Sequence, residues 1–173
     1  MIKLPIKKWD ILINAIKNED LWQEQPGFGR ELEPHVTILF GFHKNVDPAW
    51  IKECVYTIKN PIELQLDSIT HFGNKVYDAL HFSIISPKLQ KLNEIFSKFP
   101  HSTFHKGYQP HATIAYLKPG TGIKYHRELK NPIKLLTNTF IYSEAMGRRW
   151  EWDNDKKIER YNKDFIETRK YSI

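Results

Sequence analysis

The phrase Pro-His-X-Thr-Ile occurs twice in this chain. It reads PHVTILFG over residues 34 to 41 and PHATIAYL over residues 110 to 117, with the two histidines 76 residues apart. A second match follows in the same order: KNPIELQLDSI at 59 to 69 is answered by KNPIKLLTNTF at 130 to 140. From the histidine to the Lys-Asn-Pro asparagine is 25 residues in the first copy and 20 in the second. Two matches in one order point to a duplicated unit. The expected architecture is a single domain over residues 1 to 173, with repeat halves at about 34–84 and 110–152. A chain of this size buries roughly 70% of its unfolded surface, so it needs neither a disulfide nor a structural metal to hold a core.

The segments between the repeats carry recognisable punctuation. Ile6, Trp9, Ile13 and Ile16 recur at helical spacing and predict an amphipathic helix over residues 6 to 17. Pro26, Gly27 and Gly29 break the pattern into a loop. PHVTILFGF, rich in β-branched and aromatic residues, reads as a strand. Asp47-Pro48 and Ser86-Pro87 each join a side chain that caps free N–H groups to a proline that needs no donor, so a helix should start at each. Between those helices, PIELQLDSIT and KVYDALHFSI read as antiparallel strands joined through His71-Phe72-Gly73-Asn74. In the second half GIKYHREL predicts a shorter helix. Ile158, Tyr161, Phe165 and Ile166 predict a helical tail over 153 to 173.

The chemistry follows from the period of a strand. Side chains at i and i+2 share a face, so His35 projects with Thr37 and His111 with Thr113, while Val36, Ile38, Ala112 and Ile114 turn the other way. If a pseudo-twofold axis relates the halves, two imidazoles and two hydroxyls converge on one cleft. That set suits cleavage of a phosphodiester. A neutral imidazole removes a proton from the attacking oxygen and a protonated one delivers a proton to the departing oxygen, both forms being available near neutral pH. The hydroxyls donate to the non-bridging oxygens. Which histidine is base and which is acid stays open.

Other chemistries find less support. His35 and His111 could bind zinc, but no third or fourth ligand shares the repeat, and no metal or cofactor is expected. His101 and His105 lie in a loop-like stretch without carboxylate or cysteine. GFGRELE lacks the Gly-Lys-Ser/Thr ending of a phosphate loop, although Arg30 stands close enough to His35 in sequence to touch a phosphate. His43, His71, His81 and His126 have no repeat partner and read as structural. The lone Cys54 and the absence of a long apolar leader predict a soluble, cytoplasmic protein with no membrane partner. A net charge of +6 and a pI near 9.3 favour polyanions without naming one. The tail's charges nearly cancel, and no double-stranded DNA partner is expected.

With HVT and HAT in its repeats, the chain resembles the two-histidine (2H) phosphoesterase superfamily across roughly residues 34 to 152. The resemblance implies a bilobal α+β fold whose antiparallel sheets face a central cleft, with helices outside. It implies metal-independent action on cyclic phosphates or on linked nucleotides. His35 and His111 would be the acid–base pair, Thr37 and Thr113 the phosphate ligands. The branch that processes RNA ends often carries an arginine shortly after the second motif, where this chain has Tyr116 and Lys118. The chain is more similar to phage enzymes that degrade the cyclic oligonucleotide signals of bacterial CBASS immunity, which would act in the host cytoplasm. Those enzymes also hold bases with an aromatic and an acidic residue. Aligning the Lys-Asn-Pro copies sets Phe72 opposite Ser143-Glu144, making Phe72 a candidate for stacking and Glu144 for accepting from a base amine. A core phenylalanine and a solvated turn glutamate are the plainer readings of the pair. Trp9 and Tyr116 are further stacking candidates. An RNA 2′,3′-cyclic phosphodiesterase and a non-catalytic nucleotide-binding module remain the alternatives.

Overall fold

The computed structural model describes residues 1–103, 107–144, 148–154 and 158–162. Among these the chain runs β1 (Ile2–Lys3), α1 (Trp9–Asn14), β2 (His35–Val36), α2 (Pro48–Tyr56), β3 (Ile62–Gly73), β4 (Asp78–Ile85), α3 (Pro87–Phe96), β5 (His111–Leu117), β6 (Arg127–Thr137), β7 (Thr139–Ser143), β8 (Arg149–Asp153) and β9 (Ile158–Asn162). The strands form two antiparallel sheets, ordered β2-β1-β7-β8-β9 and β5-β4-β3-β6. This is an α+β fold, and no described helix is long and apolar enough to cross a membrane.

Both helix starts obey their local chemistry. The Asp47 carboxylate accepts from the Ala49 N–H, and the Ser86 hydroxyl accepts from Leu89 while donating to the Glu63 carbonyl. Leu89, Leu92 and Phe96 then face the core. Between β3 and β4 the turn closes at Asn74, whose side-chain oxygen accepts from the Val76 and Tyr77 N–H groups.

The duplicated Lys-Asn-Pro phrases meet in the second sheet. By the repeat, Ile62, Leu64 and Leu66 correspond to Ile133, Leu135 and Thr137. The strands pair Ile62 with Thr137, Leu64 with Leu135 and Leu66 with Ile133. Exchanging the two copies leaves that register unchanged, so a local twofold axis passes between Leu64 and Leu135. The environments differ. Ile62, Leu64 and Leu66 are buried in the core, each worth about 1.5–3 kcal/mol of transfer free energy, whereas Ile133 and Leu136 lie exposed on the outer strand β6.

The chain crosses between the sheets twice. One crossing falls at Asn138, between β6 and β7. The other falls between β2 and β3. Just before β2 the chain touches the second sheet, where Arg30 bridges Ala115 and the Glu31 N–H donates to the Ile114 carbonyl, after which His35 pairs with Lys3 in the first sheet. Each His-X-Thr strand therefore lies in the sheet that contains β-strands from the opposite repeat.

Four expectations change. The strand predicted over 34–42 shrinks to His35–Val36, because its only ladder partner among the described residues is the two-residue β1. Beyond it the chain turns sharply at Gly41 (φ +81°), where an added Cβ would lie 2.0 Å from the Ser102 carbonyl oxygen. The first helix spans only Trp9–Asn14, and GIKYHREL yields a short 3-10 turn over Gly122–Tyr125 before β6 begins. The predicted C-terminal helix is a strand over Ile158–Asn162, paired with β8; residues 155–157 and 163–173 of that segment lie outside the described residues. In 158–162 the ladder to β8 satisfies the backbone, and the helical spacing of the apolar residues is overridden.

Candidate active site

His35 and His111 stand on the outer strands of different sheets, and hydrogen bonds bring those strands together. The Glu31 N–H reaches the Ile114 carbonyl at 2.9 Å, and the Tyr108 phenol donates to the Thr37 carbonyl at 3.1 Å. The two tethers run in opposite chain directions, 31 to 37 against 114 to 108, and bracket His35 against the start of β5. Cα atoms of β2 and β5 approach within 8 Å. Burial alternates as the strand period requires. Val36, Ile38, Ala112 and Ile114 are buried, while His35, Thr37, His111 and Thr113 are half-buried on the opposite side.

The two imidazoles are held identically. His35 Nδ1 lies 2.8 Å from the Glu33 carbonyl and His111 Nδ1 lies 2.8 Å from the Gln109 carbonyl, each two residues back. A carbonyl oxygen only accepts, so each Nδ1 carries a proton, which leaves proton transfer to Nε2. Each ring is thus set in the tautomer that a proton-transfer group requires.

Their surroundings differ. Beside His35, the Glu33 carboxylate is gripped by both terminal nitrogens of the buried Arg149, at 2.6 and 2.5 Å, with Lys3 3.6 Å away. Burial opposes ionisation of Glu33, but the Arg149 hydrogen bonds and the charges of Arg149, Lys3 and His35 hold it below the usual carboxylate range. Beside His111 lie rings. Phe72 meets it edge-on at 5.0 Å between centroids, His81 lies at 5.2 Å, and Phe72 stacks on His81 at 4.0 Å. His81 is pushed down to about 4, first by burial, against the raising effect of its hydrogen bond to the Ala79 carbonyl, and further by positive charge at His111, His71 and His126. It is a neutral imidazole at pH 7.

Register extends this polar face. Ser83 pairs with His111 and with Ser68, and His81 pairs with Thr113 and Thr70. A bulge at Ile114 leaves Ile114 and Ala115 both buried and shifts the half-exposed positions to His111, Thr113 and Tyr116. Tyr116 therefore joins the site face and packs against Phe28 and Tyr77.

The structure brings His35, Thr37, His111, Thr113, Phe72 and Tyr116 to this region and removes two other candidates. Trp9 is core: only 6% exposed, it donates its indole N–H to the Glu31 carbonyl. Arg30 is spent on the end of α1, bonding the Ile13 and Ile16 carbonyls and the Asn18 side chain, so it does not serve a phosphate. Glu144 is ion-paired with Arg148, so its carboxylate is already engaged. Sequence reading missed His81, Ser83 and Tyr108. The first two had a signal: His81-Phe82-Ser83 is a His-X-Ser that lies antiparallel against the second His-X-Thr.

No curated protein and no solved structure is a significant match to this chain. The family model described as the 2′-5′ RNA ligase superfamily matches residues 5–137, which includes both His-X-Thr motifs. Family membership supports a phosphoesterase or RNA ligase-like function. The chain belongs to the 2′-5′ RNA ligase superfamily, a family of two-histidine phosphoesterases.

Proposed function

We propose that this protein is a phosphodiesterase that opens cyclic oligonucleotides by general acid–base catalysis with His35 and His111, without a metal. The observation that carries the reading is the matched pair of imidazoles, each fixed through Nδ1 to the carbonyl two residues before it, on strands tethered side by side. One ring takes the proton of the attacking hydroxyl and the other supplies the proton of the leaving oxygen, each worth about 10²- to 10⁴-fold in rate. Thr37 and Thr113 donate hydroxyl hydrogen bonds to the non-bridging oxygens as charge develops.

Phe72 supports a nucleotide substrate. The residue is 40% exposed yet its ring lies against His111, where a base beside the scissile phosphate can stack on it. Tyr116 offers a second ring on the same face. The cyclic form of the substrate, and a role in removing the alarm nucleotides of bacterial CBASS immunity on behalf of a phage, are drawn from the sequence resemblance.

The test is incubation with cyclic di- and trinucleotides, and in parallel with RNA ending in a 2′,3′-cyclic phosphate, all in excess EDTA. Linearised cyclic nucleotides are the expected product. Cleavage abolished by EDTA overturns the metal-free mechanism. Turnover confined to RNA ends replaces the substrate class, and tight binding with no turnover of either makes the protein a nucleotide-binding module.

A further inference from the structure

We infer that His81, outside the His-X-Thr repeat, is a specificity-determining residue: its Nε2 accepts a hydrogen bond from the free ribose hydroxyl beside the scissile phosphate, so that the site selects ribonucleotides over deoxyribonucleotides. This role rests on the phosphodiesterase reading above and names the sugar that the site takes.

His81 stands where the chemistry happens. It pairs with Thr113 across β4 and β5, on the same face as the neighbouring pair of Ser83 and His111. Its ring stacks on Phe72 at 4.0 Å and meets His111 at 5.2 Å, with Phe72 and His111 5.0 Å apart. A group bound to His81 is therefore an immediate neighbour of a phosphate served by His111.

The ring offers that neighbour one atom. His81 Nδ1 lies 2.9 Å from the Ala79 carbonyl, which only accepts, so Nδ1 carries the proton and Nε2 of the neutral ring is a bare acceptor. Burial first, then positive charge at His111, His71 and His126, hold the ring neutral at pH 7 against the raising effect of the Ala79 bond. Among the described residues no group hydrogen-bonds Nε2. Nor is that atom sealed in. The fully enclosed side-chain polar atoms left without a partner are Ser143 Oγ and Trp152 Nε1, so the 2% of His81 that stays open includes Nε2. Buried polar atoms are ordinarily paired, and this one keeps its lone pair for a ligand on the face of His111 and Thr113.

A bare acceptor selects a donor. Phosphate oxygens only accept, which leaves the ribose hydroxyls and the N–H groups of a base. The hydroxyl sits on the sugar carbon next to the one that bears the phosphate, whereas the base leaves from the far side of the sugar. Contact with His111 therefore favours the hydroxyl. A deoxy ligand would leave Nε2 covered and unpaired, which is how a polar site rejects an analogue lacking one hydroxyl.

The experiment is equilibrium titration with a cyclic diribonucleotide and with its 2′-deoxy counterpart. His35→Ala is the reference protein, because it stops turnover without touching Phe72, His81 or His111. The comparison is the same protein carrying His81→Phe, which keeps a ring against Phe72 and removes the acceptor. The reference should bind the ribo ligand about 5- to 100-fold more tightly than the deoxy ligand, and His81→Phe should bring the two within about twofold. If His81→Phe fails to fold, nitrogen NMR of the reference protein decides: the His81 Nε2 resonance should move with the ribo ligand and not with the deoxy ligand. Absence of a ribo preference, a preference that survives His81→Phe, or a resonance indifferent to the ribo ligand overturns the role. Equal weakening of both ligands by His81→Phe gives the contact to the base and overturns it too. A reference protein that binds neither ligand, with wild type inert on both, refutes the phosphodiesterase reading itself, and the role of His81 falls with it.

Discussion

Around His35 the neighbours are charges, and around His111 they are rings. On one side Glu33, Arg149, Lys3 and Glu151 form a mixed ion cluster whose centre is a bidentate clasp. On the other, Phe72 and His81 form a stacked pair with His111 at its edge. What the sites share is narrower: an Nδ1–H bonded to the carbonyl two residues back, and a threonine two residues on. The two His-X-Thr copies share the histidine's backbone bond and the threonine, while the groups that support them differ.

The largest effect that tests the shared part comes from the hydroxyls. Thr37→Val and Thr113→Val should each lower kcat by about 10²- to 10³-fold, as expected for lost donors to a developing oxyanion. An unimpaired variant would show that the hydroxyls do not serve one phosphate. Next comes the ring side. Unfolded His81 takes up a proton near pH 6.5 and the folded form near 4, so between those values the unfolded state binds more protons and stability rises with pH. Acidification from pH 7 to 4 should cost wild type about 3 kcal/mol more than His81→Phe in urea unfolding. Equal slopes for the two proteins would mean that His81 is not buried neutral.

On the charged side, Arg149→Met leaves Glu33 without its clasp and should cost about 1–3 kcal/mol of stability. Turnover should fall in the same variant, because the carbonyl that orients His35 belongs to Glu33. The smallest effect concerns the tether between the sites. Tyr108→Phe removes one hydrogen bond and should cost about 0.5–1.5 kcal/mol. A loss of kcat approaching 10²-fold, larger than the stability change suggests, would identify the tether as what sets the spacing of the rings. Unchanged kcat would assign Tyr108 to packing alone.

Much of this arrangement was legible in the residues. The period of a strand fixed which side chains of each His-X-Thr share a face, and capping chemistry marked the starts of α2 and α3. The duplicated Lys-Asn-Pro phrase signalled a pairing that turned out to be self-complementary about Leu64 and Leu135. It could not signal that the second copy runs through a change of sheet at Asn138, because that depends on which distant strands β6 and β7 pair with. Arg30 and Trp9 misled for a related reason. Sequence proximity to His35 made Arg30 a candidate, whereas tertiary packing gave its guanidinium to the end of α1. Tyr108 gave no local sign, since its partner is Thr37, 71 residues earlier. At 158–162 the helical period competed with a free strand edge, and the edge prevailed.

The central claim is that both imidazoles act on one phosphate, and its most direct test separates binding from turnover. Single-turnover cleavage of a cyclic oligonucleotide should fall about 10²- to 10⁴-fold in His35→Ala and likewise in His111→Ala, while the Kd for that substrate stays within about tenfold of wild type in each. Either variant turning over at nearly the wild-type rate, or a loss that shows only as weaker binding, would contradict it.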